Sequence, residues 1–180
     1  MMMPEASQPV RAPRWPLGFA LALVVTLVVV VLVAASMVRH QAPGPLGVAA
    51  VPAPAADSAD CARLLAALPE ELDGAELGAL RRRQLRAPAP AGVAGWGEPP
   101  VVLRCGLGRP PELTATSRLL AVSGVEFLEI PSPDTSTWVA VDRPVYLVVA
   151  LPPRSGSGPL QQIATVISHT LPRREVDIPR

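Results

Sequence analysis

The chain reads as an α+β protein: a small antiparallel sheet with helices packed on one side, preceded by a single transmembrane helix. Three observations predict this. Leu17 to Val38, LGFALALVVTLVVVVLVAASMV, is a run of 22 residues without a charge. Residues 138–141 and 145–151 are β-branched runs joined by Asp142-Arg143-Pro144, in the manner of a hairpin. Amphipathic helical patterns stand at 57–69 and 158–172, on either side of the strand candidates. Helix, strands and helix in that order imply helices layered on an antiparallel sheet.

The apolar run comes first. As a helix it would reach about 33 Å at 1.5 Å per residue, against a hydrocarbon core of about 30 Å. It has no amphipathic face, and it is longer than the apolar part of a signal peptide. Small residues at Ala34, Ala35 and Ser36, or at Ala49 and Ala50, leave cleavage open as the rival reading. Arg11 and Arg14 precede the run and only Arg39 and His40 follow it. That margin predicts residues 1–16 as a short cytoplasmic tail and places the rest of the chain outside the cell membrane. Trp15 suits the interface at the edge of the span.

Residues 39–56 read as a Pro/Ala-rich linker. QAPGPLGVAAVPAPAA, 41–56, holds four prolines and no charge. Extended, it would reach roughly 50 Å at about 3 Å per residue, a semi-rigid stalk. Residues 57–180 then form the extracytoplasmic α+β domain. DSADCARLLAALP opens it, with Asp57 or Ser58 as cap. Cys61, Leu64, Leu65 and Leu68 line one face, and Pro69 ends the helix. ELDGAELGALRRRQLR is helix-like in parts, and Arg81–Leu85 enters a strand on the alternative reading. VVLRC (101–105) and VEFLEI (125–130) are strand candidates. The last helix has Ser157 or Gly158 as cap, Pro159 in its first turn, and Leu160, Ile163, Ala164, Ile167 and Leu171 on one stripe.

Composition removes several chemistries. All 16 basic residues are arginine, so neither a Walker-type lysine nor a Schiff-base lysine exists. The formal net charge is +1, which offers no field for nucleic acid. No ligand spacing suggests a metal, and no cofactor is indicated. Cys61 and Cys105 are the only cysteines. In an oxidising compartment they are expected to pair as a disulfide. A reactive thiol beside Arg104, a metal ligand and two inert thiols are the alternatives.

Catalytic residues cannot be assigned. His169 is the one histidine of the domain and reads as a surface residue. Glu126 and Glu129, three apart in a strand, point to opposite faces. Ser155-Gly156-Ser157-Gly158 lacks the frame of a nucleophile elbow and reads as a flexible loop. Candidate binding residues are Arg81, Arg82, Arg83 and Arg86, which otherwise form a solvated helix face, and Trp96 and Trp138. Trp96 and Trp138 read first as aromatics that fill a core or brace a loop. Gly95-Trp96-Gly97 before Pro99 and Pro100 makes a semi-exposed loop the functional alternative, its indole stacking on a sugar or docking a partner.

WGEPPVVLRCG (96–106) and TWVAVDRPVYLVVALP (137–152), with Cys61 and the Leu68-Pro69 step upstream, resemble the actinobacterial family called domain of unknown function 3515. The resemblance covers roughly residues 57–172. It implies a single-pass or secreted envelope protein and supplies no activity, cofactor or catalytic residue. The expected function is a non-enzymatic binding or accessory protein of the cell envelope, its partner another envelope protein or a cell-wall component. The rivals are an enzyme or enzyme accessory acting on cell-wall intermediates, and a small-ligand carrier or sensor. A site joining Asp or Glu to Arg104, Arg143 or His169 would favour the enzyme; a sizeable apolar cavity would favour the carrier.

Overall fold

The structure, a computed structural model, describes residues 15–39 and 44–178. They form two units, divided between Ala42 and Pro43.

The first unit holds helix α1, Trp15–Arg39. Its apolar residues from Leu23 to Val33 are exposed. Among the described residues no helix is long and apolar enough to cross a membrane. The side chains described in α1 are those of residues 22–34, so the ends of the predicted 17–38 span lie outside them. Of the expected tail at 1–16, residues 1–14 also lie outside the described residues, and Trp15 and Pro16 fall in α1.

The second unit is built on alternation. In Tyr146–Leu151 (β8) the leucines and Val149 are buried on one face, while Tyr146, Val148 and Ala150 are half-buried on the other. β8 is central in a six-stranded sheet with Val93–Trp96 (β3), Val101–Leu107 (β4), Leu119–Val122 (β5), Val125–Pro131 (β6) and Ser136–Ala140 (β7). The order is β3-β4-β8-β7-β6-β5, and every pair is antiparallel. The predicted hairpin is present, with Trp138 opposite Val149 and Ala140 opposite Leu147. Glu126 and Glu129 fall on opposite faces, as strand geometry requires.

Two helices cover one face. Ala59–Ala67 (α2) begins at Ser58, whose hydroxyl accepts from the Cys61 amide at 3.3 Å. Gly158–Thr170 (α3) begins at Ser157 with Pro159 in its first turn, but no side chain caps it. Both helices meet the core formed by Ala94, Trp96, Leu103, Phe127, Leu147 and Val149. On the opposite face, Leu113 from the β4–β5 crossover lies with Leu128, Val139 and Val141, and Val176 of the C-terminal tail packs there.

Two stretches differ from expectation. ELDGAELGALR is not helical: Glu71–Asp73 (β1) and Ala79–Arg81 (β2) pair antiparallel around a single 3-10 turn. Gly74 and Gly78 break the helix, while Leu72 and Leu80 enter the core. The linker is not a free stalk over its described part, residues 44–56. Leu46 is buried and its amide donates to the Gln84 carbonyl at 2.8 Å. The Ala55 amide donates to Gly106 at 3.0 Å. Gly106 has a φ of +84°, and a Cβ there would stand 2.3 Å from Ala55 backbone, so glycine is required for this contact. Residues 40–43 lie outside the described part.

Cys61 of α2 and Cys105 of β4 form a disulfide, with Cα atoms 5.7 Å apart and both residues buried. The bridge closes a loop of 44 residues in sequence separation. In the chain-entropy view, such a link contributes about 4 kcal/mol. Replacing both cysteines by alanine is expected to lower the urea unfolding free energy by up to that amount, with the buried Trp96 as the fluorescent reporter. A loss under about 1 kcal/mol would show that packing alone holds α2 on the sheet.

Candidate functional site

The candidate site is the end of the sheet where the β5–β6 turn, the β7–β8 turn and the exit of α3 meet. Three chain segments bring four charged residues together there. Asp142 and Arg143 follow β7, Glu126 lies near the start of β6, and Arg173 follows α3.

Asp142 is fully buried, and its Oδ2 lies 2.7 Å from Arg143 Nη1 and 3.5 Å from Arg173 Nε. Neither carboxylate oxygen receives a well-aligned hydrogen bond, so charge rather than a directed bond holds the group. The rest of the turn is bonded through its backbone. Arg143 Nη2 donates to the Gly124 carbonyl at 2.9 Å, the Arg174 amide to the Asp142 carbonyl at 2.8 Å, and the Val141 amide to the Glu126 carbonyl at 3.0 Å. Arg173 also pairs with Glu126 at 2.5 Å, with its side chain 68% exposed. Two carboxylates thus face two guanidinium groups, and the cluster is balanced.

Beside it runs an open groove of about 620 Å³, bounded by Leu119, Glu126, Arg173, Arg174, Val176 and Ile178. Apolar side chains and both signs of charge make it a surface for a partner with mixed character. It brings no nucleophile together with a base. His169 is exposed in the last turn of α3 and joins none of these ion pairs. Ser155 is not in a flexible loop: it is buried, and its hydroxyl donates to the Pro152 carbonyl at 2.8 Å. Among the described residues no group of three or more His, Cys, Asp or Glu is placed to hold a metal.

The binding candidates from sequence do not form one patch. Trp96 is no loop residue; it ends β3, fully buried, with its indole N–H donating to the Pro69 carbonyl at 2.8 Å. The flanking glycines make room for side chains, Leu46 at Gly95 and Leu80 at Gly97, where a Cβ would stand within 2.5 Å of them. Trp138 is half-buried on β7, edge-on to Phe127 with ring centroids 6.3 Å apart. Arg82 lies over the Trp96 ring at 5.6 Å and donates to the Leu65 and Leu68 carbonyls at the end of α2. Arg83 donates to Gly97 and Gly44 and pairs with Glu98. Arg81 and Arg86 remain exposed, Arg81 beside Glu71 at 3.4 Å. Arg81 ends β2 while Arg82 and Arg83 turn to carbonyls of other segments, so the dense sequence cluster does not become a dense surface.

Two further groups sit on the sheet face away from the helices. Tyr146 has its phenol pushed above the usual 10.0 by burial first and by Asp177 second, with Arg109 opposing. Arg104 is half-buried, and burial lowers its guanidinium from the usual value. The enclosed space beside it, under Val51 and Pro90, is about 10 Å³, too small for an organic ligand.

The sequence profile of the protein family of unknown function DUF3515 matches residues 21–176, and the chain belongs to that family. No curated protein and no solved structure matches the chain.

Asp142→Ala is expected to destabilise by about 3–5 kcal/mol, because Arg143 would keep a buried charge without its partner. Glu126→Gln, at an exposed pair, should cost under about 1 kcal/mol. Denaturant unfolding of the two variants checks the contrast. A raised Tyr146 pKa stabilises the fold below the unfolded value near 10.0, and that contribution is lost as pH rises through the folded value. Stability should therefore fall above about pH 10, and less steeply in Tyr146→Phe. Equal alkaline slopes would contradict this.

Proposed function

We propose that this chain is a membrane-anchored envelope protein whose folded unit lies outside the membrane and binds another envelope component. The observation that carries the reading is the fully buried disulfide between Cys61 and Cys105. Such bridges persist in oxidising compartments. Helix α1 supports the anchor: the sequence from Leu17 to Val38 is charge-free, and its apolar side chains from Leu23 to Val33 are exposed. The arginine bias before that run supports a cytoplasmic N-terminus.

Binding is favoured over catalysis by the open, charge-balanced groove along residues 173–178, which gathers apolar and charged side chains without a nucleophile–base pair. The second reading, an enzyme or enzyme accessory acting on cell-wall intermediates, draws on the meeting of Asp142 and Glu126 with Arg143 and Arg173.

Topology is tested in intact cells carrying the full chain with an epitope at each end. Added protease should remove the C-terminal epitope and spare the N-terminal one, and alkaline carbonate should leave the chain with the membranes. A chain released by carbonate, or one whose C-terminal epitope is spared until the cells are opened, would refute the reading.

A further inference from the structure

The six-stranded sheet has two edges, and the fold treats them differently. At the β3 edge the segment 81–86 closes on the strand. The Arg83 amide donates to the Gly95 carbonyl at 2.8 Å, and the Gly97 amide to the Arg81 carbonyl at 2.9 Å. At the other edge β5 pairs on one side only, with β6. Ser123 and Gly124 form the two-residue turn between them, with φ of +47° and +79°. In such a hairpin Val122 and Val125 exchange hydrogen bonds, and Leu120 and Phe127 do so two residues on. The N–H and C=O groups of Leu119 and Ala121 therefore point away from β6, and among the described residues no hydrogen bond reaches them. Between them stands Leu120, 39% exposed, on the face that carries the helices. No charge, proline or bulge guards the four residues of β5, and these are the usual defences of an open edge.

We propose that β5 pairs antiparallel with β5 of a second copy of this chain, about a twofold axis through Leu120. The edge is its own complement in this register. Leu119 falls opposite Ala121 of the second copy and Ala121 opposite its Leu119, so every outward N–H and C=O is bonded. An axis through Leu119 or Ala121 would bond that residue to itself and carry the other beyond the strand. Leu120 lies against Leu120 of the second copy at the closer, non-hydrogen-bonded spacing of about 4.5 Å between Cα atoms, which covers both side chains. Arg118, the one charge in residues 117–124, falls opposite Val122 and not opposite itself. The assembly closes at two copies, because the β3 edge is already occupied. The two sheets become one, with both helix layers on the same side. On the other side Ala121 of the second copy stands beside Leu119, a wall of the groove along residues 173–178, so the two grooves flank one junction. This pairing goes beyond the binding function proposed above and does not depend on it.

The test oxidises isolated native membranes, holding the full chain with Leu120→Cys or Arg118→Cys, using copper phenanthroline. The outcome is then independent of the compartment in which the folded unit lies. Both positions are exposed, and Cys61 and Cys105 are already paired. Leu120→Cys is expected to run as a reducible dimer, since facing Cα atoms lie within the span of a disulfide. Arg118→Cys should give about tenfold less, because its counterpart is displaced by roughly 14 Å along the strand. A second measurement varies Leu120 while a short bismaleimide joins Leu119→Cys in one tagged copy to Ala121→Cys in another. Lysine at 120 in both copies, or glutamate in both, should lower the yield several-fold; lysine in one and glutamate in the other should restore it. No bridge at 120, equal bridging at 118, a bridge from 120 to a different protein, or a yield indifferent to like charges at 120 would overturn the proposal.

Discussion

A covalent link between α2 and β4 organises the folded unit. α2 is only nine residues long, too short to hold its helical form unaided. The Cys61–Cys105 bridge fixes it on the sheet at a point where neither sulfur meets water. Other contacts follow from that position. The carbonyls at the end of α2 reach Arg82, which lies over Trp96, and the indole N–H returns to the Pro69 carbonyl just beyond the helix. Beside Cys105, Gly106 admits the incoming chain at Ala55. One bridge thus gathers the entry of the chain, the first helix of the unit and the centre of the sheet.

The arginines show how a chain without lysine uses its cations. A guanidinium carries several donors in a planar fork, so it can satisfy carbonyls at two loop ends while its face rests on an aromatic ring. Arg82, Arg83 and Arg143 each fasten backbone carbonyls, and Arg82 also rests on the Trp96 ring. Asp142, fully buried, is the carboxylate that Arg143 holds at 2.7 Å.

Elements with strong periodicity were legible in the sequence. The stripe from Leu160 to Leu171, the Ser58 cap and the β7–β8 hairpin are each set by local pattern and lie where that pattern places them. The stretch 70–86 misleads because its alanines, leucines and arginines favour a helix, while Gly74 and Gly78 decide for a hairpin. At Trp96 the core reading holds and the loop reading fails: the flanking Gly95 and Gly97 mimic a loop, yet they leave room for the Leu46 and Leu80 side chains beside the core indole. The ion cluster was not visible: Asp142-Arg143-Pro144 reads in sequence only as the joint of a hairpin. Glu126 and Arg173, 47 residues apart, carry no local mark of their meeting.

The folded unit is stapled by a disulfide, we propose that it lies in an oxidising compartment, and the state of two thiols tests that most directly. The chain would be taken from its native membranes, alkylated without reduction and weighed intact, then alkylated again after reduction. No label on Cys61 and Cys105 before reduction and two labels after it is the predicted result. Two labelled thiols in the unreduced protein would contradict the account, because the bridge, and with it the case for a domain outside the membrane, would be gone.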